Sequence, residues 1–322
     1  MQLPDAVHMI FFIHKAVFRM KHYLNFITFM VMMSGTFTGL SQQFPEEDLS
    51  ISPSIQYGQE SLRWSVAGDT DGQNPNILSE LIWKKLQGVR AGLTIRKRLS
   101  GRFSVQADMS YMGIASGGVS DTDYRADNRQ DISYEERLRS DKGYVLSFDA
   151  VVQYDVYRVF PMVVTTFVGF TNSYQHLFML DNAEALVEGK TLKTTYTPHW
   201  YGATAGGRFT FYVGKTVFCL EFSGDLMRYA ARANWNLREE FAHPVSFKHR
   251  ATGYGVNGAL RIAYPLWTNV HITFNAGMAY ADTGDGEDKT FYANGKQVYT
   301  MLNGVVRRSY HAGIGLKIDL PY

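Results

Sequence analysis

The sequence predicts an all-β fold: a ten-stranded antiparallel up-and-down transmembrane β-barrel with short periplasmic turns and long extracellular loops. Two observations carry this prediction, namely side-chain alternation with a period of two residues and connections that alternate between short and long. The composition agrees, with 14% aromatic residues, 29 glycines and a mean hydropathy of −0.19. Such a mix suits strands and turns better than a helical bundle. Beyond residue 45 no run of about 18 apolar residues predicts a membrane-spanning helix.

The alternation is clearest in three stretches, 144–156, 216–226 and 270–280, where apolar residues occupy one face and polar or small residues the other. Alternation of this kind is typical of strands with one apolar face. The same pattern predicts ten strands, near 50–68, 76–96, 101–116, 141–157, 161–179, 198–213, 216–233, 248–264, 268–282 and 302–322.

The connections place all tight turns at one end of the barrel. Tight turns are predicted at "RKRLSGR", "YRVFP", "YVGKT" and "YPLWTN". Longer polar loops are predicted near 69–75, 117–140, 180–197, 234–247 and 283–301. A soluble barrel such as a lipocalin would turn its apolar face inward, whereas a transmembrane barrel turns it outward. The even strand count and the asymmetry of the connections favour the transmembrane form.

Closure of the barrel has two consequences. The last strand must pair with the first, because an open sheet edge in hydrocarbon leaves backbone groups unsatisfied. Ten strands leave little open bore, which argues against a general porin. The residues expected to line a polar, mostly filled lumen are Asp149, Asp155, Glu221, Asp225, Arg261, His271, Lys317 and Asp319.

The N-terminal stretch predicts export. Residues 1–19 are expected to be an upstream extension of the reading frame, and 20–41 a signal peptide with Gly39 and Ser41 at the −3 and −1 positions of its cleavage site. Residues 42–322 then form a single barrel domain in a bacterial outer membrane. A short buried helix or an anchor is the alternative interpretation of 20–41.

Several functional classes find no support. A net charge of +2 offers no evidence for nucleic-acid binding. The single Cys219 excludes an internal disulfide and a cysteine-only metal site. The sequence contains no Gly-rich phosphate loop, serine elbow or His-x-x-x-His pair, so neither a metal nor a cofactor is expected. The expected partner is outer-membrane lipid, and the expected state is a monomer.

One motif carries chemistry. Asp121 and Asp123 form an Asp-x-Asp pair after a Gly-rich bend, at the point where the third predicted strand meets its long loop. Two close carboxylates can share a proton and polarise a water molecule. A solvated rim loop or a calcium site are the plainer interpretations of an isolated Asp-x-Asp.

Four stretches in order resemble the omptins, the ten-stranded outer-membrane endoproteases of Gram-negative bacteria. They are "SELIWKKL" at 79–86, "GIASGGVSDTDY" at 113–124, "LEFSGDL" at 220–226 and "AGIGLKIDLPY" at 312–322. The terminal aromatic, Tyr322, also resembles the signal that outer-membrane barrel assembly recognises. The resemblance implies that Asp121 and Asp123 are the catalytic aspartate couple, which would activate water opposite an Asp–His couple on the fourth long loop. It also implies lipopolysaccharide dependence and cationic peptides or host surface proteins as partners.

The chain departs from that pattern at the second couple. Arg232, Ala233 and Asn234 stand where the Asp-x-His is expected, and none of them can act as a general base near neutral pH. His243, with Glu239 and Glu240, lies further along the same loop and is the speculative replacement. Asn172 and Tyr174 stand where glutamate and arginine of a lipopolysaccharide site are expected, so that site is not recognisable.

Three hypotheses follow from the sequence. The first is an omptin-like endopeptidase that activates water with the aspartate pair, and an acidic second loop would suit its cationic substrates. The second is a non-catalytic barrel of the same fold, used for adhesion or surface binding. The third is an unrelated small barrel, such as a lipid-modifying enzyme or a narrow channel. The acidic residues of the second loop are Asp127, Asp131, Glu135 and Glu136.

Overall fold

The computed structural model describes residues 48–181, 186–187 and 189–320. The expected upstream extension at 1–19, the expected signal peptide at 20–41 and the terminal Tyr322 therefore lie outside the described residues. The described part of the chain contains no helix that is long and apolar enough to cross a membrane.

The described residues form β-strands joined by turns and loops. In chain order these are β1 (Leu49–Val66), β2 (Ser79–Ser100), β3 (Phe103–Ala126), β4 (Gln130–Arg139), β5 (Gly143–Val159), β6 (Met162–Leu180), β7 (Leu186–Val187), β8 (Lys190–Thr191), β9 (Lys193–Val213), β10 (Thr216–Asn234), β11 (Phe247–Trp267), β12 (Val270–Thr283), β13 (Gly286–Phe291) and β14 (Gln297–Leu320).

Ten of these strands close a ring. Each pairs antiparallel with the next in the order β1, β2, β3, β5, β6, β9, β10, β11, β12, β14. β14 then pairs with β1 from Leu49↔Leu320 to Val66↔Leu302, so neither edge of the sheet stays open. The predicted ten-stranded barrel and its closure are confirmed.

The connections divide the barrel into a turn end and a loop end. The four turns at 101–102, 160–161, 214–215 and 268–269 all lie at the turn end. Gly101 and Gly214 adopt φ angles of 52° and 59° there, a conformation that glycine reaches without steric cost. The loop end differs from the expectation, because much of the predicted loops at 117–140 and 283–301 is strand. β4 continues the sheet beside the outer part of β3, and β13 fills the gap between β11 and β14.

The two halves of the barrel wall have opposite polarity. On β10, near the turn end, Phe222 and Leu226 are exposed on the outer face, while Glu221 and Asp225 face the interior. Towards the loop end of the same strand, Arg232 lies on the outer face and Tyr229 is buried inside. The first arrangement suits lipid outside the barrel, and the second suits water outside the barrel.

The loop-end half therefore has a hydrophobic core like that of a soluble protein. Its centre is aromatic: Trp83 stacks on Tyr196 at 5.2 Å between ring centroids, and Trp200 packs on Tyr229 at 4.5 Å. Its other fully buried members include Leu62, Leu81, Leu86, Leu177 and Leu302. This core fills the interior above the lumen with apolar side chains, whereas the sequence predicts a polar filling.

Candidate functional site at the loop end

A β-bulge determines which way the Asp-x-Asp pair points. The pairing of β2 with β3 shifts register between Lys84 and Gly88, where Lys85 has a φ angle of 52°. Before this shift Met112 and Ile114 of β3 are buried in the barrel interior. After it the odd-numbered residues face inward, beginning with Val119. Three residues of each strand lie between the pairs Lys84↔Gly118 and Gly88↔Ile114, so the irregularity re-aims side chains while the register on its two sides stays the same.

Asp121 and Asp123 thus lie on the inner face of β3, in the part that extends beyond the lipid-facing band. Asp121 is paired with Leu81 on one side and Glu136 on the other, and only 8% of it is exposed. Asp123 is half-buried and lies opposite Tyr134. The structure brings the two aspartates together as expected, within a strand and not at the start of a loop.

The electrostatic setting of the pair favours a shared proton. Burial raises the pKa of Asp121 to about 7, the charge of Asp123 raises it as well, and Arg238 opposes the shift. Burial also raises the pKa of Asp123, against the hydrogen bond from Ser79 and the charge of Arg238. The pair can share a proton, because two adjacent carboxylates disfavour each other's ionisation.

The cation that bears on the pair comes from the fourth long loop. Arg238 lies on the 235–246 connection between β10 and β11, and its side chain is half exposed. Its Nε is 3.6 Å from Oε1 of Glu240. A guanidinium group therefore faces the aspartates from the loop that was expected to supply an imidazole.

The residues at the expected Asp–His positions do not reach the pair. Arg232 is exposed on the outer face of β10, and Ala233 is buried in the interior. Asn234 contacts His243, with 2.8 Å between Oδ1 and Nδ1. His243 is exposed, and its hydrogen-bond partner is the amide of Asn234.

The remaining acidic residues near the mouth engage their neighbours. Oδ1 of Asp127 accepts a hydrogen bond from the backbone of Asn76, and Glu136 accepts one from Tyr134. Glu135 pairs with Arg137 at 3.1 Å. Glu239, on the fourth long loop, pairs with Lys190 at 3.0 Å. Several acidic side chains at the mouth are therefore already bonded to neighbouring residues.

Asn172 and Tyr174 of β6 contact aromatic side chains of the neighbouring strands β5 and β9. Oδ1 of Asn172 is 2.6 Å from Nε2 of His199, and Tyr174 packs edge-on against the same histidine at 5.9 Å. Tyr174 also stacks on Tyr144 at 6.1 Å.

A second group of titratable side chains lies inside the loop-end core and was not predicted. The hydroxyl of Tyr196 contacts Nδ1 of His249 at 2.7 Å and the hydroxyl of Tyr229 at 2.6 Å. Nε2 of His249 is 3.1 Å from Oδ1 of Asp288, an ion-pair distance without hydrogen-bond geometry. The one signal in the sequence is the inward register of His249 on β11, but Asp288 lies in a predicted loop. The side chains of His249 and Asp288 are both almost fully buried, so the pair is part of the loop-end core.

The described ranges contain no candidate metal site. Within residues 48–181, 186–187 and 189–320, no group of three or more histidine, cysteine, aspartate or glutamate side chains is arranged to hold a metal ion.

Comparison with known proteins places the chain in a family. The model of the Pom family, described as Protochlamydia outer membrane protein, matches residues 54–320. The chain belongs to the Pom family. The match covers the ring from β1 to β14, which agrees with an outer-membrane barrel. No curated protein sequence matches this Pom family member.

The solved structure of one outer-membrane protease supports the same fold. The outer membrane protease OmpT from Escherichia coli has a TM-score of 0.69 at 13% identity, over 87% of this chain and 99% of that chain. OprG from Pseudomonas aeruginosa has a TM-score of 0.37 at 12% identity, over 85% of this chain and 97% of that one. At such identities the likeness to OmpT concerns the fold alone.

Proposed function

We propose that this Pom family barrel is a non-catalytic outer-membrane protein whose loop-end carboxylates bind cationic groups of peptides or proteins at the cell surface. The observation that carries the proposal is Arg238, the cation that bears on Asp121 and Asp123. Export through a cleaved signal peptide, with the loop end outward, is part of the proposal.

The chemistry of Arg238 favours binding over catalysis. Guanidinium stays protonated at any physiological pH, so it cannot take a proton from an attacking water molecule. Its positive charge favours the ionised form of both carboxylates, which supports a role in binding cations. Because the side chain of Arg238 is 55% exposed and its partner Glu240 is 52% exposed, an incoming lysine or arginine can displace it at little cost.

An omptin-like endopeptidase is the second candidate. A carboxyl pKa of about 7 at Asp121, next to Asp123, is suited to general acid–base work near neutral pH. A substrate-induced rearrangement of residues 235–246 would have to bring His243 to the pair for this mechanism.

The test uses purified, refolded protein with lipopolysaccharide present. Binding of a fluorescent arginine-rich peptide is measured by anisotropy, and cleavage of a diverse peptide mixture is read from new termini by mass spectrometry. OmpT is the positive control for cleavage. The matched variants are Asp121→Asn/Asp123→Asn and Asp285→Asn, since Asp285 is an exposed carboxylate elsewhere at the loop end.

We expect peptide binding without cleavage, with binding lost in the double variant and kept in Asp285→Asn. Binding should strengthen as the pH rises through 7, because Asp121 then ionises. Cleavage that the double variant loses would overturn the proposal in favour of the endopeptidase. If the protein shows no peptide binding and no cleavage, both candidates are rejected.

A further inference from the structure

The lumen of the turn-end half contains a polar cavity of about 280 Å³. It lies on the inner face of the lipid-facing strands, away from the aspartate pair of the loop end. Side chains of both charges line it, together with amides and hydroxyls: Asp108, Asp149, Glu221, Asp225, Arg90, Arg208, Arg261, Arg307, Gln56 and Asn257.

Two of the lining carboxylates are placed where the sheet alone would disfavour them. Asp108 on β3 and Asp149 on β5 are direct cross-strand partners, and both border the cavity. Like charges directly opposite each other destabilise a sheet. The hydrogen bonds to Asp108 come from uncharged groups, Thr94 and Gln106, each at 2.6 Å.

Asp225 provides an independent indication of a ligand. It is 7% exposed, and its Oδ2 accepts a hydrogen bond from Asn257 at 2.8 Å. Its Oδ1 is buried and has no hydrogen-bond partner. Oε1 of Gln56, another atom on a residue that borders the cavity, is also without a partner. Both unsatisfied atoms are acceptors, and a buried acceptor without a donor is costly, so a donor from a ligand or from water relieves that cost.

The cations around the cavity do not supply that donor. Arg208 is paired with Glu221 at 2.5 Å, and Arg307 with Glu60 at 2.7 Å. Arg261 donates to Asn275 at 3.0 Å, and Arg90 contacts His311 at 3.0 Å. In the described part of the chain, no ion pair joins a cationic side chain to Asp108, Asp149 or Asp225, so Arg90 and Arg208 act on Asp108, and Arg90 on Asp149, only through longer-range charge.

We propose that this cavity binds a small organic ammonium ion, held by Asp225 with the Asp108–Asp149 pair. An ammonium group has three donors and a positive charge, which matches unsatisfied acceptors beside carboxylates that have no ion-pair contact with a cationic side chain. The cavity is large enough for an alkyl diamine and excludes a folded peptide.

The experiment is calorimetric titration of the refolded barrel with putrescine in a potassium chloride buffer. The neutral analogue 1,4-butanediol is the ligand control. The variants are Asp225→Asn and Asp149→Asn, with Asp285→Asn as the matched carboxylate control and Asp121→Asn/Asp123→Asn as the control for the loop end. Heat-modifiable migration on gels establishes that each variant is folded.

We expect saturable putrescine binding and none for butanediol, with affinity lowered about tenfold in Asp225→Asn and in Asp149→Asn, as for loss of a charged hydrogen bond. Asp285→Asn should bind like the unaltered protein, and the loop-end double variant should keep the putrescine binding that Asp225→Asn weakens. Absence of putrescine binding to the unaltered protein would overturn the proposal, since water or potassium then fills the site. Binding that only the loop-end double variant loses would also overturn it, and would assign the amine to the rim.

Discussion

The two halves of this barrel are built from the same strands but follow opposite rules. Near the turn end, apolar side chains such as Phe222 face outward and charged ones such as Glu221 face a polar cavity. Near the loop end, Trp83 and Tyr196 fill the interior and Arg232 faces outward. The difference teaches that the surroundings of the wall, lipid or water, decide which face of a strand must be apolar.

The comparison also separates two kinds of buried carboxylate. Asp225 lies in the polar half beside a cavity and has an unsatisfied oxygen. Asp121 lies at the edge of the apolar half, where burial raises its pKa to about 7. In our proposal the first carboxylate binds a cationic ligand. The second lowers the energetic cost of its burial by taking up a proton.

The largest effect should follow from opening the apolar half. Trp83→Ala removes a fully buried indole and should lower the free energy of unfolding by about 3–5 kcal/mol. Ser54→Ala, which trims a side chain beside the lumen cavity, should cost less than about 1 kcal/mol. Urea unfolding of refolded protein in lipid vesicles measures both. Equal costs would mean that the loop-end half is not an independent hydrophobic core.

The outer surface provides the next test. Ile314→Arg places a charge on the lipid-facing band of β14 and should cost about 2–4 kcal/mol if the site lies near the bilayer midplane. Ile132→Arg makes the same change on β4, where Ile132 is exposed at the loop end, and should be near neutral. A similar penalty at both positions, in the same vesicle assay, would contradict the assignment of lipid to one half and water to the other.

A third prediction concerns pH. The pKa of Asp121 is raised from 3.8 to about 7 in the folded protein, so its ionised form is disfavoured there. Its contribution to stability is therefore greatest at low pH and is lost as the pH rises from about 4 to 7, at up to about 1.4 kcal/mol per pH unit. Asp121→Asn should remove this loss, which makes the variant relatively more stable at pH 8 than at pH 5. Unfolding of both proteins at the two pH values measures it, with Asp285→Asn as the reference, and a pH-independent difference would refute the raised pKa.

The smallest effect should come from Arg238. Its charge lowers the pKa of Asp121, so Arg238→Ala should move the midpoint of the Asp121 titration to higher pH. The shift should be modest, because the guanidinium is 55% exposed and solvent screens it. Carboxyl carbon NMR of labelled protein measures the midpoint, and Glu240→Gln is the control that leaves the guanidinium in place. A midpoint that moves to lower pH would show that Arg238 does not face the pair.

The sequence by itself determined the wall of the barrel. Alternation with period two, seen for example from Val270 to Tyr280, locates strands whatever their surroundings, because successive side chains of a strand must point to opposite faces. Two-residue turns could be read from short interruptions of the alternation, and closure of β14 on β1 follows from the cost of an open edge. Hence the ten strands and their order were predictable, as was the proximity of Asp121 to Asp123.

Only the tertiary structure decided which way those aspartates face and what they meet. An irregularity in the β2–β3 pairing near Lys85 changes which side chains of β3 face inward, so that Asp121 turns inward, and a period-two pattern cannot predict such an irregularity. Arg238 bears on the pair through a loop, whose path depends on contacts distant in sequence. The same holds for Asp108 and Asp149, which are far apart in the sequence. The pairing of β3 with β5 places these two like charges opposite each other in the lumen.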